Sequence, residues 1–277
     1  MGGVDLKLNI RKLLTTILML AVGVAFILPF IWMISASLKP ESEVFAYPIQ
    51  WIPEELKWSN YKTAWSDGFP LYYWNSIKVT VITTLISATV STMSAYGFSK
   101  IHFKSRDLIF ILVLATFMIP AQAILVPQFL LFKYLNLFDT HVGLILLNSF
   151  SVLGTFMLRQ FFMGIHDDYI ASAKIDGAGH LRIFSQIAVP LVLPAISTYF
   201  ILRFIWTWND YQGPLIFIRS DHLYTIQVGI DKFSNESGEL YSLIMAGAVS
   251  AILPLLIIFI IGQRYVLEGI ALGGVKG

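Results

Sequence analysis

The chain of 277 residues contains no cysteine. That excludes disulfides, thiolate metal sites and cysteine nucleophiles. Charge is also scarce. Asp, Glu, Lys and Arg make up 13% of the residues and hydrophobic side chains 56%, whereas soluble domains are about a quarter charged. The apolar residues fall in long blocks, so the composition marks a polytopic membrane protein and not an oversized soluble core. A net charge of +2 is too small to imply nucleic acid as a partner. H-E-x-x-H, G-x-S-x-G and phosphate-loop patterns are missing from the sequence, so nothing in it points to a catalytic site or to nucleotide bound by this chain. His166, Asp167 and Asp168 are consecutive. On a helix they cannot converge on one ion, and they read as a capping or solvated turn, with no metal site.

The apolar blocks lie at 13–34, 75–96, 108–126, 142–158, 183–206 and 241–262. The expected fold is therefore an all-α polytopic membrane protein with six transmembrane helices in a single domain, 1–277. The first block is about 22 residues, longer than the roughly 7–15 of a secretory signal, and it continues through Pro29 and Trp32 without a small-residue cleavage site. It reads as an uncleaved span. The second carries Thr80, Thr83, Thr84, Ser87, Thr89, Ser91, Thr92 and Ser94. Small hydroxylated residues let helices approach closely, so this span is expected inside the bundle. The polar stretch 35–74 holds Trp51, Trp58, Tyr61, Trp65, Tyr72, Tyr73 and Trp74. These either anchor the loop at the lipid interface or cap a pore.

The segment between the fourth and fifth blocks, 164–182, differs from a simple turn. It contains a short amphipathic pattern, breaks at Gly177 and Gly179, and starts again before Pro190 and Pro194. Two small surface helices would give a knob able to receive force from a soluble partner. With the N-terminus in the cytoplasm, Lys100, Lys104, Arg106, Arg159, Lys174, Arg182 and both termini fall inside. Lys39, Lys57, Lys62, Lys78, Lys133, Arg219 and Lys232 are spread over longer outer loops. The denser Lys and Arg inside fit the positive-inside rule. The knob and both ends are then cytoplasmic.

Candidate path residues are Gln122, Asn148, Arg203, Trp206, Trp208 and Asn209. A charge as deep as Arg203 usually faces a bundle interior or water-filled cavity, though it can also snorkel to the interface. Trp206, Trp208, Asn209 and Asp210 combine aromatic faces, an amide and a carboxylate, which suits a sugar. The same cluster suits an interfacial belt ending in a helix-stopping Asn-Asp. Both readings stand on the sequence.

Ala171-Ser172-Ala173-Lys174-Ile175-Asp176-Gly177-Ala178, with Phe184, Pro190 and Pro194 behind it, resembles the EAA loop of ATP-binding-cassette (ABC) importer permeases. Trp208-Asn209-Asp210 leading to Pro214-Leu215 resembles the carbohydrate branch of that family, the maltose-permease MalG type. So does the tail Gln263-Arg264-Tyr265-Val266, Glu268-Gly269 and Gly274-Val275-Lys276-Gly277. The similarity runs essentially the whole length of the chain. It implies a permease subunit forming half of the path for a sugar, with an oligosaccharide expected, in a bacterial or archaeal cell membrane. It also implies a second, MalF-like permease, two ATPase subunits holding ATP and Mg, and an extracytoplasmic sugar-binding protein. This chain would then bind no cofactor of its own. Ala171, Ser172, Ala173, Asp176, Gly177, Ala178 and Phe184 would couple to the ATPase, and Val275, Lys276 and Gly277 would lie near it. The family's usual Glu is Ala171 here and the next Ala is Ser172, so that polar contact is in doubt. Asp167 and Asp168, about one helical turn earlier, are the candidates to replace it. The rival readings are a self-contained carrier or channel and an ABC permease for a non-sugar solute. A carrier would often show internal repeats or intramembrane carboxylates, and the sequence shows no convincing case of either.

Overall fold

The computed structural model describes residues 10–66, 68–235 and 238–274. In chain order the helices are α1 (Ile10–Ser37), α2 (Ser59–Ala64), α3 (Phe69–Lys100), α4 (Arg106–Phe117), α5 (Ala121–Tyr134), α6 (His141–Leu147) and α7 (Val152–Met163). They continue with α8 (Asp167–Ile175), α9 (His180–Ile183), α10 (Val189–Leu191), α11 (Leu193–Trp208), α12 (Gln212–Phe217), α13 (Ile226–Asp231) and α14 (Tyr241–Gly274). A two-residue ladder pairs Ser234–Asn235 with Gly238–Glu239. The architecture is otherwise helical, as the composition implied.

Among the described residues, three helices are long and apolar enough to cross a membrane alone: Lys12–Ser37, Phe69–Lys100 and Tyr241–Arg264. The other apolar blocks are not single straight helices. The 108–126 block is divided between α4 and α5, bent by 97°. The 142–158 block is divided between α6 and α7, bent by 47°. In the 183–206 block, His180–Leu191 meets Leu193–Trp208 at 79°. With each bent pair taken as one span, the number rises to six. The breaks have local causes. Pro120 stands at the N-cap of α5, where its missing N–H and fixed φ end the preceding run. Asn148 closes α6, and Ser151 opens α7 by accepting the Gly154 amide at 3.0 Å. Before α11 the helix widens into a π turn at Phe184–Ala188. Pro190 has no N–H to offer the Gln186 carbonyl.

Contacts divide the chain into two compact units, Met1–Asp67 with Ile230–Ile252, and Gly68–Gly229 with Leu253–Gly277. In the first, α1 exposes Leu14, Met19, Leu20 and Phe26, an all-round apolar surface suited to lipid. The loop after it is tied down. The Lys39 ammonium sits 4.4 Å from the Trp32 ring centroid and donates to the Gln50 carbonyl. The Asn60 amide donates to the Ser37 and Lys39 carbonyls at 3.0 and 2.8 Å. Glu41 accepts the Tyr241 and Ser242 amides, each at 2.9 Å, at the start of α14. These are orphan donors of a helix N-terminus and take a carboxylate well.

The second unit is built on α3, which buries Ser76, Thr80, Thr83, Thr84, Ser87 and Ser91 along one stripe. The stripe admits neighbours at close range. Tyr199 of α11 places its hydroxyl 2.9 Å from Ser87 and 3.2 Å from Ser91. Gly154 of α7 receives the Tyr199 ring from the other side. Around this junction Ala88, Ala95, Tyr96, Leu158, Phe162 and Ala195 form the core.

Candidate functional site

The knob at 164–182 is two short helices held by local hydrogen bonds. His166 is the N-cap of α8, its Nδ1 accepting the Asp168 amide at 3.4 Å. Asp167 and Asp168 occupy the first turn and Lys174 the last, the arrangement a helix dipole favours. The helix ends in a Schellman motif. The Gly177 amide donates to the Lys174 carbonyl at 3.0 Å and the Ala178 amide to the Ala173 carbonyl at 2.9 Å. Gly177 lies at φ +79°, where only Gly is unstrained. The chain then turns through Gly179 into α9. Ile170, Ala173 and Ile183 are buried together, with Ala178 and Ile187 packed against them, so the two helices share a small core.

The candidate coupling residues divide by exposure. Ala171, Ser172, Asp176 and Gly177 are exposed, while Ala173 is buried and Ala178 half-buried. Phe184 is not on the exposed face. It sits in the π turn with its ring 5.1 Å from that of Tyr96, so its contribution is to seat the knob on α3. Two exposed residues stand outside the candidate coupling set: Ile175, 86% exposed, and Leu181, 77% exposed. Both are large apolar side chains exposed on an otherwise polar segment, which makes them candidates for a contact surface. The signal was present in the sequence, as an Ile and a Leu flanking the Asp-Gly-Ala-Gly turn. Asp168, Ser172 and Asp176 border a cleft of about 680 Å³ beside Tyr169 and Ile187. Asp168 therefore lies near Ser172, whereas Asp167 is bonded to Lys100 at 2.5 Å. That hydrogen bond first, then the Lys100 charge, holds the Asp167 carboxyl below its ordinary range.

Two of the path candidates converge. The Arg203 guanidinium donates to the Asn148 backbone carbonyl and, at 3.1 Å, to its Oδ1. The Asn148 amide donates to Asp210 Oδ2 at 3.2 Å, and Asp210 Oδ1 accepts the Gly213 amide at 3.0 Å. Arg203 thus reaches a carbonyl at the break between α6 and α7. Away from water such a group must find a partner within the protein. Trp206 lines a groove of about 990 Å³ between α7 and α11, with Gln160, Tyr169, Tyr199 and Leu202. Trp208 departs from the sequence expectation. It is 1% exposed, stacked on Phe204 and edge-on to Tyr73, so neither face is open to a sugar or to an interface. Asn209 is exposed and bonded to the Ile205 carbonyl of its own helix at 2.9 Å. Gln122 is exposed in the first turn of α5. Val275, Lys276 and Gly277 lie outside the described residues.

Apolar helices, bent spans and a braced surface knob define the architecture of a multi-pass membrane protein. The chain belongs to the family described as binding-protein-dependent transport system inner membrane component, whose model matches residues 87–271. It is 32% identical over 275 residues to the arabinooligosaccharides transport system permease protein AraQ of Bacillus subtilis (strain 168), covering 98% of each chain. It is 34% identical over 254 residues to the sulfoquinovosyl glycerol transport system permease protein SmoH of Agrobacterium fabrum, covering 90% of this chain and 88% of that one. It is 32% identical over 264 residues to the sn-glycerol-3-phosphate transport system permease protein UgpE of Yersinia pestis bv. Antiqua (strain Antiqua), covering 91% and 94%. Its fold matches a chain in the crystal structure of a bacterial ABC transporter involved in the import of the acidic polysaccharide alginate. That match has a TM-score of 0.82 at 23% identity, covering 96% of this chain and 99% of that one. Membership in a binding-protein-dependent family sets aside the self-contained carrier or channel.

Proposed function

We propose that this chain is one of two permease subunits of an ATP-driven importer and forms half of the path for a saccharide. Arabinose-type oligosaccharides are the first class to try. The observation that carries the coupling part is the knob, a Schellman-ended helix pair with its own core and with Ile175 and Leu181 bare at its tip. Burying two such side chains in a partner's groove would contribute about 1.5–3 kcal/mol each. In this reading the knob and both termini are cytoplasmic, and the 164–182 segment docks into an ATPase subunit. ATP and Mg are held by that partner, and hydrolysis happens there. An extracytoplasmic binding protein delivers the solute. The saccharide class is supported by the whole-length likeness to the arabinooligosaccharide and sulfoquinovosyl glycerol permeases. The sn-glycerol-3-phosphate relative makes a polyol phosphate the second class to screen.

The test is co-purification with the neighbouring permease and ATPase subunits, then ATP hydrolysis in liposomes with and without binding protein and arabino-oligosaccharides. Ile175→Asp and Leu181→Asp are expected to lose the ATPase subunits from the complex. Solute movement by the purified chain alone, without ATPase subunits, would overturn the importer reading.

A further inference from the structure

Beside the knob, α3 and α7 each supply a basic side chain to a carbonyl near the other's C-terminal end: Lys100, the last residue of α3, and Arg159, four residues before the end of α7. Arg159 of α7 donates from Nε to the Phe98 carbonyl of α3 at 3.0 Å. Its guanidinium lies 4.1 Å from the Phe110 ring centroid and bonds Asp107 at 3.2 Å. Lys100, the last residue of α3, donates to the Ile165 carbonyl beyond α7 at 2.6 Å. The same ammonium donates to Asp167 in the first turn of α8 at 2.5 Å. The Lys100 side chain is only 7% exposed although Asp167 is 85% exposed. Helix C-termini carry partial negative charge and unsatisfied carbonyls, so a cation at each is favourable. Here one cation serves the end of one helix and the start of the knob.

The other side of the knob is built differently. After α9 the backbone passes through the π turn at Phe184–Ala188 and then the 79° bend at Val192. Such irregular stretches are where a helix deforms most readily. There, however, Ala188 and Val192 are buried in the same core as α3 and α7, so apolar packing holds that side of the knob and the charge-assisted hydrogen bonds of Lys100 hold the other.

We propose that Lys100 is a positioning residue for coupling: it locks α8 to the α3–α7 pair so that the knob and these helices move as one body. This rests on the importer reading, since it assigns the route by which a docked ATPase would move the spans. Lys100 itself touches neither ATPase nor solute in this scheme.

The test uses the whole importer in liposomes, with its second permease, ATPase subunits and binding protein. It reads the fold-stimulation of ATP hydrolysis by binding protein. Because the chain has no cysteine, Lys100→Cys with Asp167→Cys supplies a unique pair in it for a short bifunctional thiol reagent. The unlinked double variant is expected to keep its ATPase subunits on co-purification and to lose about fivefold in stimulation, the scale of a partly screened ion pair. Linking the two positions is expected to restore it. Wild-type stimulation in the unlinked variant, or stimulation lost on linking, overturns the clamp. If the double variant fails to accumulate, Asp167→Asn decides, because it leaves Lys100 on the Ile165 carbonyl; unchanged stimulation there also overturns the clamp. A wild-type complex that does not retain ATPase subunits is a different failure, that of the importer reading itself.

Discussion

Gly154 and Tyr199 compete for one volume: a Cβ built on Gly154 would lie against Cζ, Cε2 and the hydroxyl of the Tyr199 ring. The phenol fits because α7 presents no side chain there, and its hydroxyl is then free to meet Ser87 and Ser91 of α3. Three helices meet through this one ring. Gly154→Ala is expected to lower stability by about 1–3 kcal/mol, as overpacking of a tight core does. Tyr199→Phe should not rescue it, since two of the three colliding atoms remain. Thermal unfolding of the detergent-solubilised single and double variants checks this, and full rescue by Phe would show that the hydroxyl alone sets the approach.

At Gly177 the constraint is backbone, not space. A Cβ there meets nothing within 4 Å, but the residue sits at φ +79°. Gly177→Ala is expected to cost about 1 kcal/mol and Gly177→Asn less, because Asn tolerates the left-handed region. The measurement is hydrogen exchange at the Ala178 amide, which is bonded to the Ala173 carbonyl only while the cap holds. Equal exchange in wild type, Ala and Asn variants would show that the cap does not depend on Gly.

Much of this was legible in the sequence. The Ser/Thr run in α3 announced close helix contacts, and Asp176-Gly177 announced the turn that ends α8. The bends were only partly legible. Pro120, Pro190 and Pro194 mark weak points, but the break at Asn148–Ser151 has no Pro and depends on side-chain capping and on Arg203 far along the chain. Trp208 departs from its local pattern for a related reason. Sequence position put it near a helix end, where aromatics usually seek the interface. Yet Phe204 four residues earlier and Tyr73 from α3 enclose it. Neither the Arg159–Phe98 nor the Lys100–Ile165 pairing follows from local pattern, because each joins residues more than sixty positions apart.

Arg203 is expected to matter for stability more than its isolated charge suggests. Arg203→Met removes the donor for the Asn148 carbonyl and side chain and should cost about 1–3 kcal/mol. Arg203→Lys keeps the charge but not the planar fork that reaches both oxygens, so it should fall between Met and wild type. Asn148→Ala leaves the backbone carbonyl contact and should cost less than Arg203→Met. The order of melting temperatures tests the assignment. A Met variant as stable as wild type would mean that the guanidinium serves a transported solute instead of the helix break.

Asp139 gives a pH test outside the membrane spans. It sits at φ +59° between α5 and α6. Its Oδ1 accepts the Arg219 and Ser220 amides, each at 2.9 Å, and its Oδ2 the Ser220 hydroxyl at 2.5 Å. These bonds, the Ser220 hydroxyl foremost, favour the carboxylate and lower its pKa from the ordinary 3.8. With the folded value depressed, the ionised group's contribution is fully present above the unfolded value and is lost as pH falls through the folded one. The melting temperature should therefore contain an Asp139-dependent loss that begins as pH falls below about 5 and grows as it falls further. Asp139→Asn retains the left-handed backbone and one acceptor oxygen but cannot titrate. The stability difference between wild type and this variant should be constant above about pH 5 and shrink as acid protonates the wild-type carboxyl. A difference that stays constant into acid would mean that the carboxylate charge contributes nothing to holding the 219–220 segment.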